Sequence, residues 1–186
     1  VIGDIVRVDA CFGFPMPAGG NILDEALGGG AYFDACPYPI SAARMILGEP
    51  SQATCRVTMD ETLKVPTRAD MVLQFPTGTS ALVSSIFGAY YQSYYDILGT
   101  KGRIRTERAF PVPKEREVKL FLSRNDTIEE LVIPPADHFR LMVEDFCSEI
   151  LKGESSTAPY ERELLAQARV LDAGKRSFEQ NTTVTI

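Results

Sequence analysis

Leu27-Gly28-Gly29-Gly30-Ala31-Tyr32-Phe33-Asp34-Ala35-Cys36-Pro37-Tyr38-Pro39-Ile40-Ser41-Ala42-Ala43-Arg44-Met45-Ile46-Leu47-Gly48 is the stretch around which the rest of the chain is arranged. Three successive glycines open it, and glycine both tolerates positive φ and lets a backbone or a ligand come close. A helical segment follows over 31–47 and stops at Gly48-Glu49-Pro50, a glycine terminator and then a residue that cannot continue a helix. Asp34 and Tyr38 are four residues apart, a spacing that stacks side chains on one helix face, one turn apart. Ile40, Ala43 and Leu47 continue an apolar stripe on an adjacent face. Pro37 and Pro39 each remove a backbone donor, which predicts a kinked or irregular helix near Tyr38. A carboxylate and a phenol held at a strained helix start form a candidate site. By residue type alone, Asp34 also fits a carboxylate favoured by the helix dipole, and Tyr38 an ordinary half-buried aromatic.

Composition narrows the function classes. The 186 residues fit one domain, and a 45% hydrophobic content is enough for a substantial core. A net charge of −6 argues against a nucleic-acid partner, whose phosphates need a basic patch. No run of about 18 apolar residues is present, so no membrane span is expected. No basic segment followed by an apolar one marks a signal peptide, and a cytoplasmic protein is expected. Cys11, Cys36, Cys55 and Cys147 are widely spaced without a Cys-x-x-Cys pair and read as reduced thiols, not as disulfides or metal ligands. His138 is the only histidine, which excludes a His-rich metal site and argues against a Ser-His-Asp triad. It stands at a helix start, where an exposed or structural role is expected.

Working outward, residues 4–14 alternate, with Val6, Val8, Ala10 and Phe12 on one side and Arg7, Asp9 and Cys11 on the other, and so predict a strand. Residues 15–27 hold two prolines, two glycines and an asparagine and read as a loop leading to the N-terminus of the Gly28 helix. Free N–H groups at such an end attract anions and hydroxyl oxygens. Asn21, Asp24 and Glu25 are therefore candidate substrate ligands, or else plain solvated loop residues.

From residue 53 the period changes to two. Segments 53–63, 68–76, 79–88 and 90–98 predict strands, with Pro76-Thr77-Gly78 as a hairpin turn. Ala69, Met71, Leu73 and Phe75 share one face, as do Ala81, Val83, Ser85 and Phe87. Gly99-Thr100-Lys101-Gly102 is another turn, followed by strands over 103–107, 117–123 and 128–133. Such a succession predicts an antiparallel meander with helices over one face. Val72, Leu82 and Ile86 put apolar side chains on the opposite face, so a homo-oligomer through that open face is expected. Phe139, Met142, Val143, Phe146 and Ile150 predict a helix over 137–152; a second, over 159–178, carries Leu164, Ala168 and Leu171 with Thr157 as its cap. Residues 179–186 form a polar, β-branched tail without an assigned partner.

A dinucleotide site needs Gly-x-Gly-x-x-Gly between a strand and a helix, but here Gly28-x-Gly30 is followed by Phe33 and preceded by a long loop. No βαβ unit and no phosphate-binding Gly-Lys-Ser/Thr loop is visible. Dinucleotide binding by this chain alone is not expected.

The Gly28–Gly48 stretch resembles the signature of the glucose-fructose oxidoreductase/inositol dehydrogenase (Gfo/Idh/MocA) family: three glycines, three residues, Asp, three residues, Tyr or His, then Arg and a terminal Gly. Gly28, Gly29, Gly30, Asp34, Tyr38, Arg44 and Gly48 fall in place, while Cys36 stands where the family commonly has glycine. Ile2-Gly3-Asp4-Ile5, Leu98-Gly99-Thr100-Lys101-Gly102, Phe139 through Ile150 and Gln167 through Ala173 extend the likeness over nearly the whole chain. The resemblance implies an α+β, two-layer fold: a large, mainly antiparallel open sheet with helices on one face, like the C-terminal domains of dihydrodipicolinate reductase and glyceraldehyde-3-phosphate dehydrogenase. It implies that residues 1–186 are a C-terminal substrate-binding and dimerisation domain, with an N-terminal Rossmann domain preceding Val1. It further implies hydride transfer at a carbinol carbon of a sugar, sugar derivative or polyol. NAD or NADP would be bound mainly by the Rossmann half, together with a lysine outside this chain. Tyr38 would act as acid/base and Asp34 would orient the substrate hydroxyl. The fragment alone would be inactive. The alternative is a non-catalytic scaffold or dimerisation domain of the same descent.

Overall fold

The computed structural model describes residues 1–153 and 158–186, and the expected cap Thr157 lies outside them. Among the described residues nine strands form one sheet: β1 (Ile5–Phe14), β2 (Gln52–Met59), β3 (Pro66–Gln74), β4 (Ser80–Phe87), β5 (Gln92–Gly99), β6 (Arg103–Glu107), β7 (Val118–Arg124), β8 (Thr127–Ile133) and β9 (Val184–Thr185). Their spatial order is β8-β7-β6-β5-β1-β4-β3-β2-β9. Every pairing is antiparallel except that of β1 with β4.

The expected single meander is thus two meanders, β2-β3-β4 and β5-β6-β7-β8, with β1 inserted between them. Alternation marks β1 as a strand but says nothing of its neighbours. Its central place is visible in burial: Ala10, Cys11, Phe12 and Gly13 are all covered, so both faces of the strand are shielded. Val6, expected to point inward, is exposed, because the register shifts between Ile5 and Arg7. The C-terminal tail finds a partner as well: Val184 pairs with Ala53, which makes β9 the edge strand beside β2.

Among the described residues the α-helices are four: α1 (Ala31–Asp34), α2 (Pro37–Leu47), α3 (His138–Lys152) and α4 (Ala158–Gln180). α1, α2 and α4 pack on one face of the sheet. Between them and the strands lie Val8, Ala10, Tyr32, Ile40, Met71, Leu73, Val83 and Val170, all buried. Burying a side chain of this size stabilises the fold by about 1.5–3 kcal/mol. The Tyr32 hydroxyl, deep in this layer, donates to the Leu171 carbonyl at 2.5 Å and so keeps a partner without water. Ser177 on α4 accepts from the Cys55 N–H of β2 at 2.8 Å and ties helix to sheet.

α3 departs from the expected arrangement. Its stripe of Phe139, Met142, Val143, Phe146 and Ile150 is exposed instead of lying on the sheet. Tyr160 of α4 joins it, through its ring against Phe146 and its hydroxyl to Asp145 at 2.6 Å. Amphipathic spacing shows that a face wants covering, not which surface covers it. His138, the first residue of α3, is exposed. The four cysteines are free. Burial pushes the thiol of Cys11 up to about 11 and those of Cys36 and Cys55 up to about 12, so all three stay protonated at neutral pH. Among the described residues no helix is long and apolar enough to cross a membrane.

Candidate functional site

The glycine tract folds back on two short 3₁₀ turns, Asn21–Leu23 and Glu25–Leu27. Gly28 sits in the left-handed region at φ 72°, and Gly30 at φ 106°. Gly29 N–H donates to the Asp24 carbonyl at 2.8 Å, and Gly30 N–H to the Ile22 carbonyl at 2.7 Å. A Cβ on Gly29 would stand 2.8 Å from the Asp24 and Ile22 backbones, and one on Gly30 2.7 Å from the Pro66 carbonyl oxygen. The tract is therefore a hinge that presses α1 onto β3. It does not form a dinucleotide cradle, because the N–H groups of Gly28, Gly29 and Gly30 are all satisfied within the turn.

The expected single helix over 31–47 is two helices, broken at Ala35-Cys36. Pro37 takes the first position of α2, where a missing N–H is harmless. Its ring prevents the α1 hydrogen-bond ladder from running on. Asp34 and Tyr38 thus flank a break instead of sitting one above the other on one continuous helix. Cys36, in the break, is fully buried against the sheet.

Asp34 closes α1, partly buried. Loss of water raises its carboxyl above the usual value. Among the described residues its carboxylate takes part in no hydrogen bond or ion pair. It lines an open depression of about 270 Å³ together with Asn21, Gly28, Gly29 and Phe33. Tyr38 lies at the start of α2 with 43% of its surface exposed. Its ring rests on Phe12 at 5.1 Å and on Phe110 at 6.0 Å between centroids, and its hydroxyl has no partner among the described residues. Phe110 is itself fixed: its N–H donates to Ser93 Oγ at 2.8 Å, and that hydroxyl donates to the Phe110 carbonyl at 3.1 Å. The phenol is accordingly held by its ring and free at its oxygen.

Of the remaining expected ligands, Asn21 shares the depression with Asp34. Asp24 accepts from the Ala26 N–H at 2.9 Å, the cap of a short turn. Glu25 is exposed in that turn. Of the rings that position Tyr38, Phe12 entered the sequence reading only as a strand residue and Phe110 not at all. They come from β1 and from the loop after β6, and alternation alone does not announce a contact between them.

Arg44, the signature arginine, faces away from the depression. Its buried guanidinium donates to Glu49 at 2.6 and 2.8 Å, to Gln167 at 2.9 Å and to Glu163 at 3.1 Å. Gln167 in turn donates to the Pro37 carbonyl at 2.9 Å. This network locks the start and end of α2 onto α4, so Arg44 holds Tyr38 in place without touching it.

Comparison with known proteins matches residues 1–105 to the GFO/IDH/MocA C-terminal domain. A D-xylose 1-dehydrogenase (NADP(+)) of Haloferax volcanii is 30% identical over all of this chain and 57% of its own length. A dTDP-3,4-didehydro-2,6-dideoxy-alpha-D-glucose 3-reductase of Streptomyces antibioticus is 28% identical over 92% of this chain and 53% of its own. A 3-ketoreductase from Actinomadura kijaniata, solved in complex with NADP and TDP-benzene, superimposes with a TM-score of 0.88 at 28% identity, covering 95% of this chain and 55% of that one. The chain spans about half the length of these relatives.

Proposed function

Because the chain belongs to the GFO/IDH/MocA family of oxidoreductases, we propose that it is the substrate-binding and catalytic half of an NAD(P)-dependent enzyme acting at a carbinol or keto carbon of a sugar, sugar derivative or polyol. The observation that carries this reading is the pair of uncommitted polar groups, the Tyr38 hydroxyl and the Asp34 carboxylate, on either side of the Ala35-Cys36 break.

Oxidising a carbinol removes a hydride from carbon and a proton from the hydroxyl. A bound nicotinamide supplies the hydride acceptor; the residues of this chain handle the proton. Tyr38 accepts it in oxidation and donates it in reduction, its ring fixed by Phe12 and Phe110. A phenol ionises near pH 10 in water, so efficient transfer needs a cation beside it in the complete site. The lysine that the resemblance implies outside this chain fills that role. Asp34 accepts hydrogen bonds from substrate hydroxyls and orients the reacting carbon, with Asn21 beside it in the same depression. The satisfied N–H groups of the glycine tract support cofactor binding by a separate Rossmann domain, and NADP, named for the relatives, is the favoured form. Protonated, buried thiols fit a reducing cytoplasm. A second copy covers the open sheet face, where Leu82 is exposed beside the partly buried Val72 and Ile86.

The test is nicotinamide turnover by the full-length protein over a panel of aldoses, polyols and nucleotide-linked sugars. Turnover that is lost with Tyr38→Phe supports the reading. A kcat within about threefold of wild type in that variant overturns it.

A further inference from the structure

Ser93, in β5, stands where the alternation of the strand calls for an apolar side chain. It shares the parity of Tyr95 and Ile97, which pack against the core, yet it is small, polar and only 4% exposed. Its partner in register on β1 is Phe12, around which Phe14, Phe87, Tyr91 and Phe110 gather. A buried hydroxyl is tolerated where protein hydrogen bonds replace those to water. Both hydrogen bonds of Ser93 Oγ go to one residue, Phe110: it accepts from the N–H at 2.8 Å and donates to the carbonyl at 3.1 Å. The Ser93 carbonyl accepts from the Ala109 N–H at 2.9 Å. The segment after β6 is irregular and turns at Arg108, with φ 62°. No helix or strand ladder therefore sets the direction in which Phe110 points; the three bonds to Ser93 do. The Phe110 ring lies 5.7 Å from Phe12 and 6.0 Å from Tyr38, and Phe12 lies 5.1 Å from Tyr38, between centroids. Ser93 thus stands beside one of the rings that support the phenol and clamps the backbone of the other.

We propose that Ser93 is a positioning residue for proton transfer: its hydroxyl sets Phe110, and Phe110 with Phe12 sets the Tyr38 phenol. The proposal rests on the reading of Tyr38 as the acid/base. Among the described residues the Tyr38 hydroxyl has no hydrogen-bond partner, so the place of its oxygen depends on the contacts of its ring. Chemistry is sensitive to that place, since a misplacement of about 1 Å can cost on the order of 10²-fold in rate. Without the Ser93 hydroxyl the N–H and carbonyl of Phe110 lose their partner, the segment after β6 relaxes, and the phenol loses one of its supporting rings. Asp34 and Asn21, which line the depression on the other side of the Ala35-Cys36 break, are untouched by the change. The loss therefore falls on the chemical step and not on substrate binding.

The experiment is a double-mutant cycle in the full-length protein, with Ser93→Ala and Tyr38→Phe made singly and together. For each, the single-turnover rate of hydride transfer and KM are measured with a substrate that the wild type turns over. Ser93→Ala alone lowers the rate about tenfold or more and leaves KM within about threefold of wild type. In the Tyr38→Phe background the same substitution changes the rate by less than about twofold, because the group it positions is gone. An equal loss in both backgrounds makes Ser93 a plain stability residue and overturns the proposal. So does a Ser93→Ala rate within about twofold of wild type, or an effect confined to KM. In those cases a slow Tyr38→Phe leaves the acid/base reading standing; a Tyr38→Phe rate within about threefold of wild type overturns both. Should Ser93→Ala fail to fold by circular dichroism, Phe110→Leu takes its place in the cycle and breaks the same chain one link nearer the phenol. A loss seen only when Tyr38 is present then supports the proposal, and an equal loss in both backgrounds, or none, overturns it.

Discussion

Gly30→Ala tests whether the glycine tract is the device that seats Asp34. At φ 106° and ψ 160° Gly30 occupies a region that is essentially glycine-only. The strain of forcing alanine there is on the order of 1–3 kcal/mol. The new Cβ would also meet Pro66 Cδ at 2.6 Å and the Pro66 carbonyl oxygen at 2.7 Å, and a backbone oxygen in a sheet cannot swing away. Overpacking of this kind costs typically 1–3 kcal/mol more. Together these give about 4 kcal/mol, a large share of the 5–15 kcal/mol that holds a typical domain. At 186 residues each kcal/mol moves Tm by about 2–4 °C, so the variant should melt about 8–16 °C lower. Gly28→Ala is the internal control. Gly28 is left-handed at φ 72° and ψ 33° but has nothing within 4 Å of a Cβ, so only the backbone penalty of about 1 kcal/mol applies. Thermal melts followed by circular dichroism compare the two. A Gly30 variant melting within about 3 °C of wild type, or no lower than the Gly28 variant, would refute the account of the tract.

Three further outcomes follow from the same structure. Asp34→Asn should raise Tm at neutral pH: burial lifts the folded-state pKa above the unfolded one, so the ionised carboxylate opposes folding above that pKa. The penalty fades as pH falls through the raised pKa, so the variant's advantage should vanish toward about pH 3, below the unfolded aspartate value of about 3.9; an advantage that grows on acidification would show the sign to be wrong. Arg44→Leu removes a buried guanidinium whose partners Glu49 and Glu163 are 56% and 73% exposed and can rehydrate, so the loss should be about 2 kcal/mol, less than the 3–5 expected when both partners are buried; a melt unchanged within 2 °C would remove the network from the account. Leu82→Arg, placed on the open sheet face, should shift sedimentation of a homo-oligomer toward monomer, and an unchanged distribution would place the interface elsewhere.

Most strands were readable because they carry their own alternation between turn residues; β8, whose seven residues are all exposed, does not alternate. β3 and β4 show it well, with Ala69, Met71, Leu73, Ala81 and Val83 all buried as their parity requires. The prolines announced the break before Tyr38, since a missing N–H is a local property. Non-local facts were not readable. Nothing in Ile5–Phe14 shows that it slips between β4 and β5, and nothing in the α3 stripe shows that it stays off the sheet. Asp34 and Tyr38 could be chosen from spacing and likeness, but the rings under Tyr38 come from residues 12 and 110, joined only by folding. Tyr94 and Arg105 line one cavity because the register of β5 with β6 brings the two strands side by side, which neither strand shows by itself. Asp24 caps a turn, and a turn-capping carboxylate and a ligand carboxylate share the same sequence signature.

The most direct test of the central claim is the primary deuterium isotope effect and kcat of Tyr38→Phe in the full-length enzyme. The substitution keeps the ring that packs on Phe12 and Phe110 and removes only the partnerless hydroxyl, so the melt should stay within about 2 °C of wild type. General acid–base catalysis contributes on the order of 10²–10⁴-fold, so kcat should fall by that factor while a substrate deuterated at the reacting carbon shows a full isotope effect. A kcat within about threefold of wild type, with hydride transfer shown by that isotope effect to limit the rate, would mean that the proton travels by another group and that the Gly28–Gly48 stretch serves architecture alone.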